Sequence, residues 1–130
     1  MPGKKSSKVT NRITGKVPEE STDKIVVLVT FASATEARRV GRALVEQGTA
    51  ACVNIFQTPV QSIYRWKGKV EASNEHLMLI KTSRQQFTGL QAAVQRLHSY
   101  DLPEIIALPI AQGSRDYLAW ISESVRPLKK

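Results

Sequence analysis

The strongest constraint on the fold is the order in which strand-like and helix-like patterns follow one another along the chain. Residues 25–31 form a short run of β-branched and apolar side chains, which is typical of a strand buried on both faces. Between Ser33 and Gly48, apolar residues then recur every three or four positions, as in an amphipathic helix. Ser33 and Glu36 have the spacing of a capping box at its start, and Gly48 is placed to end it.

The next segment predicts a long β-hairpin. Residues 50–55 are typical of a second strand, and the extended pattern resumes over residues 61–66. A tight turn at residues 67–68 leads into a third strand, which is interrupted before Glu75 and then runs to Thr82. This hairpin is longer than a domain of this size needs for its own sheet.

Two further helices and one strand complete the pattern. Ser83 and Gln86 repeat the capping-box spacing ahead of a second amphipathic helix, and residues 104–110 predict a fourth strand. Ser114 caps a final helix that Pro127 stops. The order β-α-β-β-α-β plus a C-terminal helix predicts an α+β ferredoxin-like sandwich, in which two helices cover one face of a four-stranded antiparallel sheet.

Two helices can cover only one face of such a sheet. The other face must meet solvent, the C-terminal helix or another subunit, and the long hairpin offers a surface for another subunit. The topology therefore predicts an oligomer.

The positive charge of the chain lies mainly at its ends. The sequence carries 19 Lys and Arg against 11 Asp and Glu, a formal net charge of +8. Residues 1–24 contribute +3 and residues 126–130 another +3. We interpret residues 1–24 as a flexible tail, residues 25–125 as the folded domain and residues 126–130 as a basic end. The tail lacks aromatic side chains for stacking on bases, which favours a solubilising leader over a nucleic-acid arm.

Cysteine content and hydropathy bear on the compartment. Cys52 is the single cysteine, which excludes an intramolecular disulfide and a multi-cysteine zinc site and favours a reducing compartment. No apolar run reaches the roughly 18 residues of a membrane span. The basic N-terminus also lacks the apolar core of a secretory signal. These features predict a cytoplasmic protein that makes no contact with a membrane.

Known catalytic motifs are missing, including the nucleophile elbow, the glycine-rich phosphate loops and the paired-histidine zinc motif. We therefore expect a binding protein rather than an enzyme. His98 is followed closely by Asp101 and Glu104, and an imidazole with two carboxylates can bind a divalent metal or move a proton. The alternative is that His98 simply ends the second helix favourably. Cys52, in an apolar strand, is either a small buried hydrophobe or a reactive residue, as a ligand or a nucleophile.

A second group of candidates combines aromatic and basic side chains. Tyr64, Trp66 and Tyr100 are amphipathic aromatics of the kind enriched at interfaces, although core packing explains each of them equally well. Arg65 and Lys81 accompany them on the predicted hairpin strands. Such a mixture can bind an anion or nucleic acid, or form an ordinary solvated face.

These candidates lie in segments that closely resemble the CutA divalent-cation-tolerance family. The similar segments are residues 50–55, 62–71, 79–82, 98–104, 107–110 and 117–121. The resemblance covers about residues 25–123, and the stretch SIYRWKGKVE at residues 62–71 is highly specific. The segment at residues 1–24 lies outside it.

The resemblance implies a ferredoxin-like subunit assembled as a tight homotrimer through its hairpins, similar in architecture to PII signalling proteins. It also implies a role in tolerance of copper and other divalent cations. Carried over residue by residue, the implied metal ligands are Cys52, His98 and Glu104. The residues implied to line clefts between subunits are Tyr64, Trp66, Lys81, Tyr100 and Asp101. Val29 stands where some members have a further cysteine, and Asp101 where the family often has Glu.

Three functions compete at this point. The first is a trimeric metal-responsive protein that binds copper or another divalent metal between its subunits. The second is a PII-like signalling or scaffold trimer that takes a small anion or a partner protein in its clefts. The third, nucleic-acid binding through the basic ends, is less favoured. An enzyme using His98 and Asp101 as acid and base ranks last, because the sequence indicates no substrate pocket.

Overall fold

A computed structural model describes residues 22–126 of the chain. The strands are β1 (Lys24–Phe31), β2 (Cys52–Ile55), β3 (Val60–Trp66), β4 (Lys69–Ser83) and β5 (Ile106–Pro109). The helices are α1 (Ala34–Gln47), α2 (Phe87–Leu97) and α3 (Arg115–Ser124), and a 3₁₀ turn (Arg84–Gln86) precedes α2. Most of the predicted tail at residues 1–24, and the predicted stop at Pro127, lie outside the described residues. Lys24, the last residue of that segment, is the first residue of β1.

The sheet is antiparallel and has the strand order β2-β4-β1-β5, with β3 paired to the outer part of β4. This confirms the α+β ferredoxin-like architecture, with five strands in place of four. The fifth strand arises because β4 is 15 residues long and pairs with two short strands in succession. Its inner part, from Met78 to Lys81, pairs with β2, and its outer part, from Lys69 to Glu75, pairs with β3. The interruption predicted before Glu75 is therefore wrong, since β4 is continuous there.

The core lies between one face of the sheet and the helices α1 and α2. Val27 and Val29 of β1 are fully buried against Leu44 of α1, and burial of one such side chain contributes about 1.5–3 kcal/mol to stability. Val26 and Leu28, which point to the other face of the sheet, are only partly buried. The prediction of a strand buried on both faces thus holds for one face only, because both covering helices pack on the same side.

The ends of the helices agree with most of the capping predictions. The Ser33 hydroxyl accepts a hydrogen bond from the Glu36 amide at 3.1 Å, and Gly48 ends α1 in the left-handed conformation at φ 83°. Ser114 caps α3 in the same way, by accepting from the Tyr117 amide. The box predicted at Ser83 is wrong: its side chain makes no cap hydrogen bond, because a 3₁₀ turn intervenes before α2.

The hairpin and the last strand differ from prediction mainly at their boundaries. Lys67 and Gly68 both have positive φ, at 52° and 82°, which is the geometry of a tight hairpin turn. The last strand is shorter than predicted, because only residues 106–109 pair with β1. Among the described residues, no helix is both long enough and apolar enough to cross a membrane.

Candidate functional site

His98 ends α2 and points into the interior of the protein. Its side chain is 0% exposed and stacks on the Phe31 ring, with the two centroids 4.5 Å apart and the planes inclined by 13°. The Nε2 atom lies 2.7 Å from the Thr30 carbonyl oxygen, and the Tyr100 amide donates to Nδ1 at 3.0 Å. In this network Nδ1 is the acceptor and Nε2 the donor of the ring.

This environment gives His98 a structural role within the chain. A histidine binds a metal through an unprotonated ring nitrogen, and the one that His98 has already accepts the Tyr100 amide. The prediction that His98 merely ends the helix at its dipole is incomplete, since the ring also connects α2 to β1 through Thr30. His98 thereby fixes the start of the segment from residue 98 to residue 104, which we call the 98–104 loop.

Glu36 holds the same loop from the start of α1. Its carboxylate accepts the Ser99 amide at 2.7 Å and the Ser99 hydroxyl at 2.9 Å. The predicted capping box would have the Glu36 side chain bind the start of its own helix. In the structure it binds Ser99 instead, 63 positions away along the chain. A carboxylate that receives two hydrogen bonds orders the loop more firmly than the local cap would.

Glu75 of β4 anchors the middle of the 98–104 loop. Glu75 is only 8% exposed, and the Tyr100 hydroxyl donates a hydrogen bond to its Oε2 atom at 2.8 Å. Burial, and then the neighbouring Glu75 carboxylate, raise the pKa of Tyr100 above that of an ordinary phenol. The pKa of Glu104 is also raised, first by partial desolvation and second by repulsion from Glu75. The carboxylates of Glu75 and Glu104 therefore lie close enough to repel each other.

The loop and one face of the hairpin enclose a cleft of about 910 Å³, which we call the hairpin cleft. Its lining consists of Thr30, Ser62, Ile63, Tyr64, Trp66, Ser73, Glu75, Tyr100, Asp101, Leu102, Pro103, Glu104 and Ile106. Three of these are carboxylates and three are Tyr or Trp, and none is Lys, Arg or His. The lining therefore favours a cation over an anion.

Four of the five residues expected in clefts line the hairpin cleft, namely Tyr64, Trp66, Tyr100 and Asp101. Lys81 lies elsewhere, opposite Cys52 in the sheet, and donates a hydrogen bond to the side-chain oxygen of Asn54. Lys81 is therefore not in a position to offset the negative charge of the cleft within one chain.

Cys52 lies at the other end of the sheet from the cleft. It is partly exposed rather than fully buried, and its Sγ atom is 4.0 Å from the Asn54 side-chain oxygen. Tyr117 of α3 is a further neighbour: burial raises the pKa of its hydroxyl, and the Cys52 thiol raises it further. This environment is polar on one side, unlike that of a buried hydrophobe.

The three implied metal ligands do not come together in one chain. Cys52 is opposite Lys81 of β4, whereas Glu104 is beside Glu75, six residues along the same strand. Six residues of a strand span about 20 Å, far beyond the reach of one metal ion. Within residues 22–126, no group of three His, Cys, Asp or Glu side chains is arranged to hold a metal. A single chain therefore does not fit the implied ion.

Comparison with known proteins places this geometry in a family. The model of the family described as CutA1 divalent ion tolerance protein matches residues 25–124. The chain belongs to this family. The Divalent-cation tolerance protein CutA of Thermus thermophilus is 50% identical over 99 residues, which cover 76% of this chain and 95% of that protein.

Solved structures of the CutA1 family share the fold. The structure of the Thermus thermophilus protein aligns with a TM-score of 0.77 at 48% identity, covering 79% of this chain and 99% of that one. The CutA of Archaeoglobus fulgidus is described as a periplasmic divalent cation tolerance protein. Its structure aligns with a TM-score of 0.76 at 40% identity, covering 79% of this chain and 99% of that one. The resemblance inferred from residues 62–71 and 98–104 is confirmed.

Sequence reasoning missed Glu36 and Glu75 as residues that shape the site. Glu36 was assigned to a helix cap, and Glu75 was assigned only to a strand. Their partners, Ser99 and Tyr100, are 63 and 25 positions away along the chain. No local pattern signals such a contact, because it depends on how β4 and α1 pack beside the loop.

Proposed function

We propose that this CutA1-family protein acts in divalent cation tolerance as a homotrimer that binds copper or another divalent metal between its subunits, and that it is not an enzyme. Family membership over residues 25–124 is the single observation that carries this proposal. The description of the Thermus thermophilus relative as a divalent-cation tolerance protein supports it.

Exposed apolar residues support the assembly. Ile63 and Val70, on the two strands of the hairpin, are 69% and 67% exposed. Ile106 and Leu108 are half exposed on β5, which ends the sheet and pairs with β1 alone among the described strands. Clustered exposed apolar residues and an unpaired strand edge are the features that subunit contacts cover.

The proposed metal ligands require more than one subunit. Since Cys52 and Glu104 lie at opposite ends of one sheet, a shared site would combine the thiolate of one chain with the carboxylate of another. A thiolate is a soft ligand that suits copper, and a carboxylate can complete such a site. The third proposed ligand, His98, would bind only after its Nδ1 atom released the Tyr100 amide. Cys52 and Glu104 are therefore the ligands to test first.

Two measurements test this function. Light scattering coupled to size-exclusion chromatography should give a mass about three times 14.4 kDa. Calorimetric titration with copper should show saturable heat for the wild type and much less for Cys52→Ser and Glu104→Gln. His76→Gln is the matched control, because His76 is outside the proposed site and its ring hydrogen-bonds the Phe56 carbonyl. A monomer, or equal copper heats for all variants, would contradict the proposal.

We also propose that residues 25–125 form the functional domain and that it works in the cytoplasm. The family match over residues 25–124 supports the domain. The single cysteine supports a reducing compartment, although the Archaeoglobus fulgidus relative is described as periplasmic. Fractionation of cells followed by immunoblotting tests the compartment, and recovery in a membrane or extracytoplasmic fraction would refute it.

A further inference from the structure

The start of the 98–104 loop is held closed by hydrogen bonds of two adjacent residues. The Ser99 amide and hydroxyl donate to the two carboxylate oxygens of Glu36, at 2.7 Å and 2.9 Å. The Tyr100 amide donates to His98 Nδ1 at 3.0 Å. The loop is therefore bonded to α1 and to the end of α2 at the same time.

These side-chain contacts hold a segment that has no regular structure of its own. Helix α2 ends at Leu97 and β5 begins at Ile106, so the loop lacks the regular backbone hydrogen bonds that hold its neighbours. A segment held by a few polar contacts opens locally more often than the whole protein unfolds. The contacts of Glu36 and His98 form within each chain, away from the exposed hairpin and β5 residues that we propose to join the subunits.

Closure of the loop occupies the ring nitrogen of His98 that can accept a ligand. Nε2 is bonded to the Thr30 carbonyl and Nδ1 to the Tyr100 amide, and the side chain is 0% exposed. Glu36 Oε2, which holds the Ser99 amide, lies 3.7 Å from Nδ1. A ligand therefore reaches Nδ1 only after Ser99 and Tyr100 have moved away from it.

We propose that the 98–104 loop is a latch over His98 Nδ1, and that the two hydrogen bonds from Ser99 to Glu36 set how often it opens. A ligand that binds only the open state has its apparent affinity reduced by the fraction of the protein that is open. Weakening the Glu36 contact should therefore make His98 more accessible, whereas removing part of a binding site would weaken binding. The latch does not depend on a metal, and its effect on copper rests on the proposed function.

The test measures access to His98 in the full-length protein with diethyl pyrocarbonate. This reagent transfers an ethoxycarbonyl group to an unprotonated ring nitrogen and releases ethanol and carbon dioxide. The chain has two histidines, so peptide mass spectrometry gives a rate for each ring. Glu36→Gln keeps the size of the side chain but removes its charge, and it should raise the His98 rate about tenfold. Ser99→Ala removes only the hydroxyl bond and should raise it about threefold.

Two controls separate opening of the loop from other effects. Glu46→Gln makes the same substitution on the same helix, where the carboxylate pairs with Arg42, and should leave the His98 rate unchanged. The His76 rate should be the same in every variant. In Glu36→Gln, the His98 rate should hardly depend on urea below the unfolding transition, because opening a short loop exposes little surface.

The proposal is overturned if Glu36→Gln leaves the His98 rate unchanged or if Glu46→Gln raises it equally. It is also overturned if the rate in Glu36→Gln rises with urea as steeply as global unfolding does. In a wild type that binds copper through His98, Glu36→Gln should bind copper more tightly, and weaker binding would contradict the latch. A wild type without saturable copper heat would refute the metal function alone, since the modification rates need no metal.

Discussion

His98 offers the sharpest test of how the 98–104 loop is held. Replacing it with Ala removes the ring stack on Phe31, worth about 0.5–1.5 kcal/mol. It also removes the buried hydrogen bond to the Thr30 carbonyl and the acceptor for the Tyr100 amide. Leaving such buried groups unpaired costs about 1–3 kcal/mol. We therefore expect His98→Ala to lower the free energy of unfolding by about 3 kcal/mol or more.

Two comparison variants separate these contributions. His98→Phe keeps a stacked ring but loses both polar contacts, so it should cost about 2 kcal/mol. His76→Ala removes a partly exposed ring with one hydrogen bond, to the Phe56 carbonyl, and should cost less than about 1 kcal/mol. The assay is equilibrium urea unfolding at one fixed protein concentration, because an oligomer's stability depends on concentration.

The result that would refute this reasoning is a loss below about 1 kcal/mol for His98→Ala. It would mean that the buried ring and its two partners contribute no more than a surface contact. Equal losses for His98→Ala and His98→Phe would instead show that the stack on Phe31 contributes nothing. Hydrogen exchange of the Tyr100 amide should rise in both variants, since both remove its acceptor.

Three further predictions concern the hairpin, the helix–sheet contact and the cleft. Gly68→Val should destabilise by about 1–2 kcal/mol through backbone strain alone, since φ is +82° with open space around it, and Gly68→Asn should be tolerated in thermal unfolding. Gly41→Ala should lower the melting temperature, because its Cβ would lie 2.9 Å from Val53 Cγ2 and 3.0 Å from Met78 Cε, and Val53→Ala in the same chain should restore part of the loss. Glu104→Gln should raise thermal stability at pH 7. The advantage should vanish below about pH 4, because a raised pKa favours folding only while the carboxyl is protonated. A stability difference that does not change with pH would contradict that cause.

Much of the fold could be predicted from local patterns. The strand at residues 25–31, the helix between Ser33 and Gly48 and the turn at residues 67–68 all carry their own signals in spacing or in glycine placement. Each signal acts within a few residues, so the surrounding fold did not need to be known. The local predictions are wrong where two local conformations compete. At Ser83, a 3₁₀ turn forms in place of the predicted helix cap.

The charge of the candidate site could not be predicted in this way. From the sequence, the basic residues of the hairpin were compatible with an anion, with nucleic acid or with a solvated face, whereas the folded cleft is lined by carboxylates. Alternation places Arg65 on the face opposite to Tyr64 and Trp66, and Lys81 pairs with the far end of the sheet beside Cys52. Which charges share a cleft depends on which face of each strand meets the loop.

The sequence by itself determined the order of the elements, the main helix caps and membership of the CutA1 family, because these are recorded in short-range periodicity and in residues 62–71. Only the tertiary structure decided what His98, Glu36 and Glu75 do. Their hydrogen bonds join residues separated by 68, 63 and 25 positions, respectively. Such contacts exist only after β1, β4 and both helices have packed. The chemistry of the cleft is therefore a property of the folded sheet, in which carboxylates that are distant in sequence converge beside the aromatic residues of the hairpin.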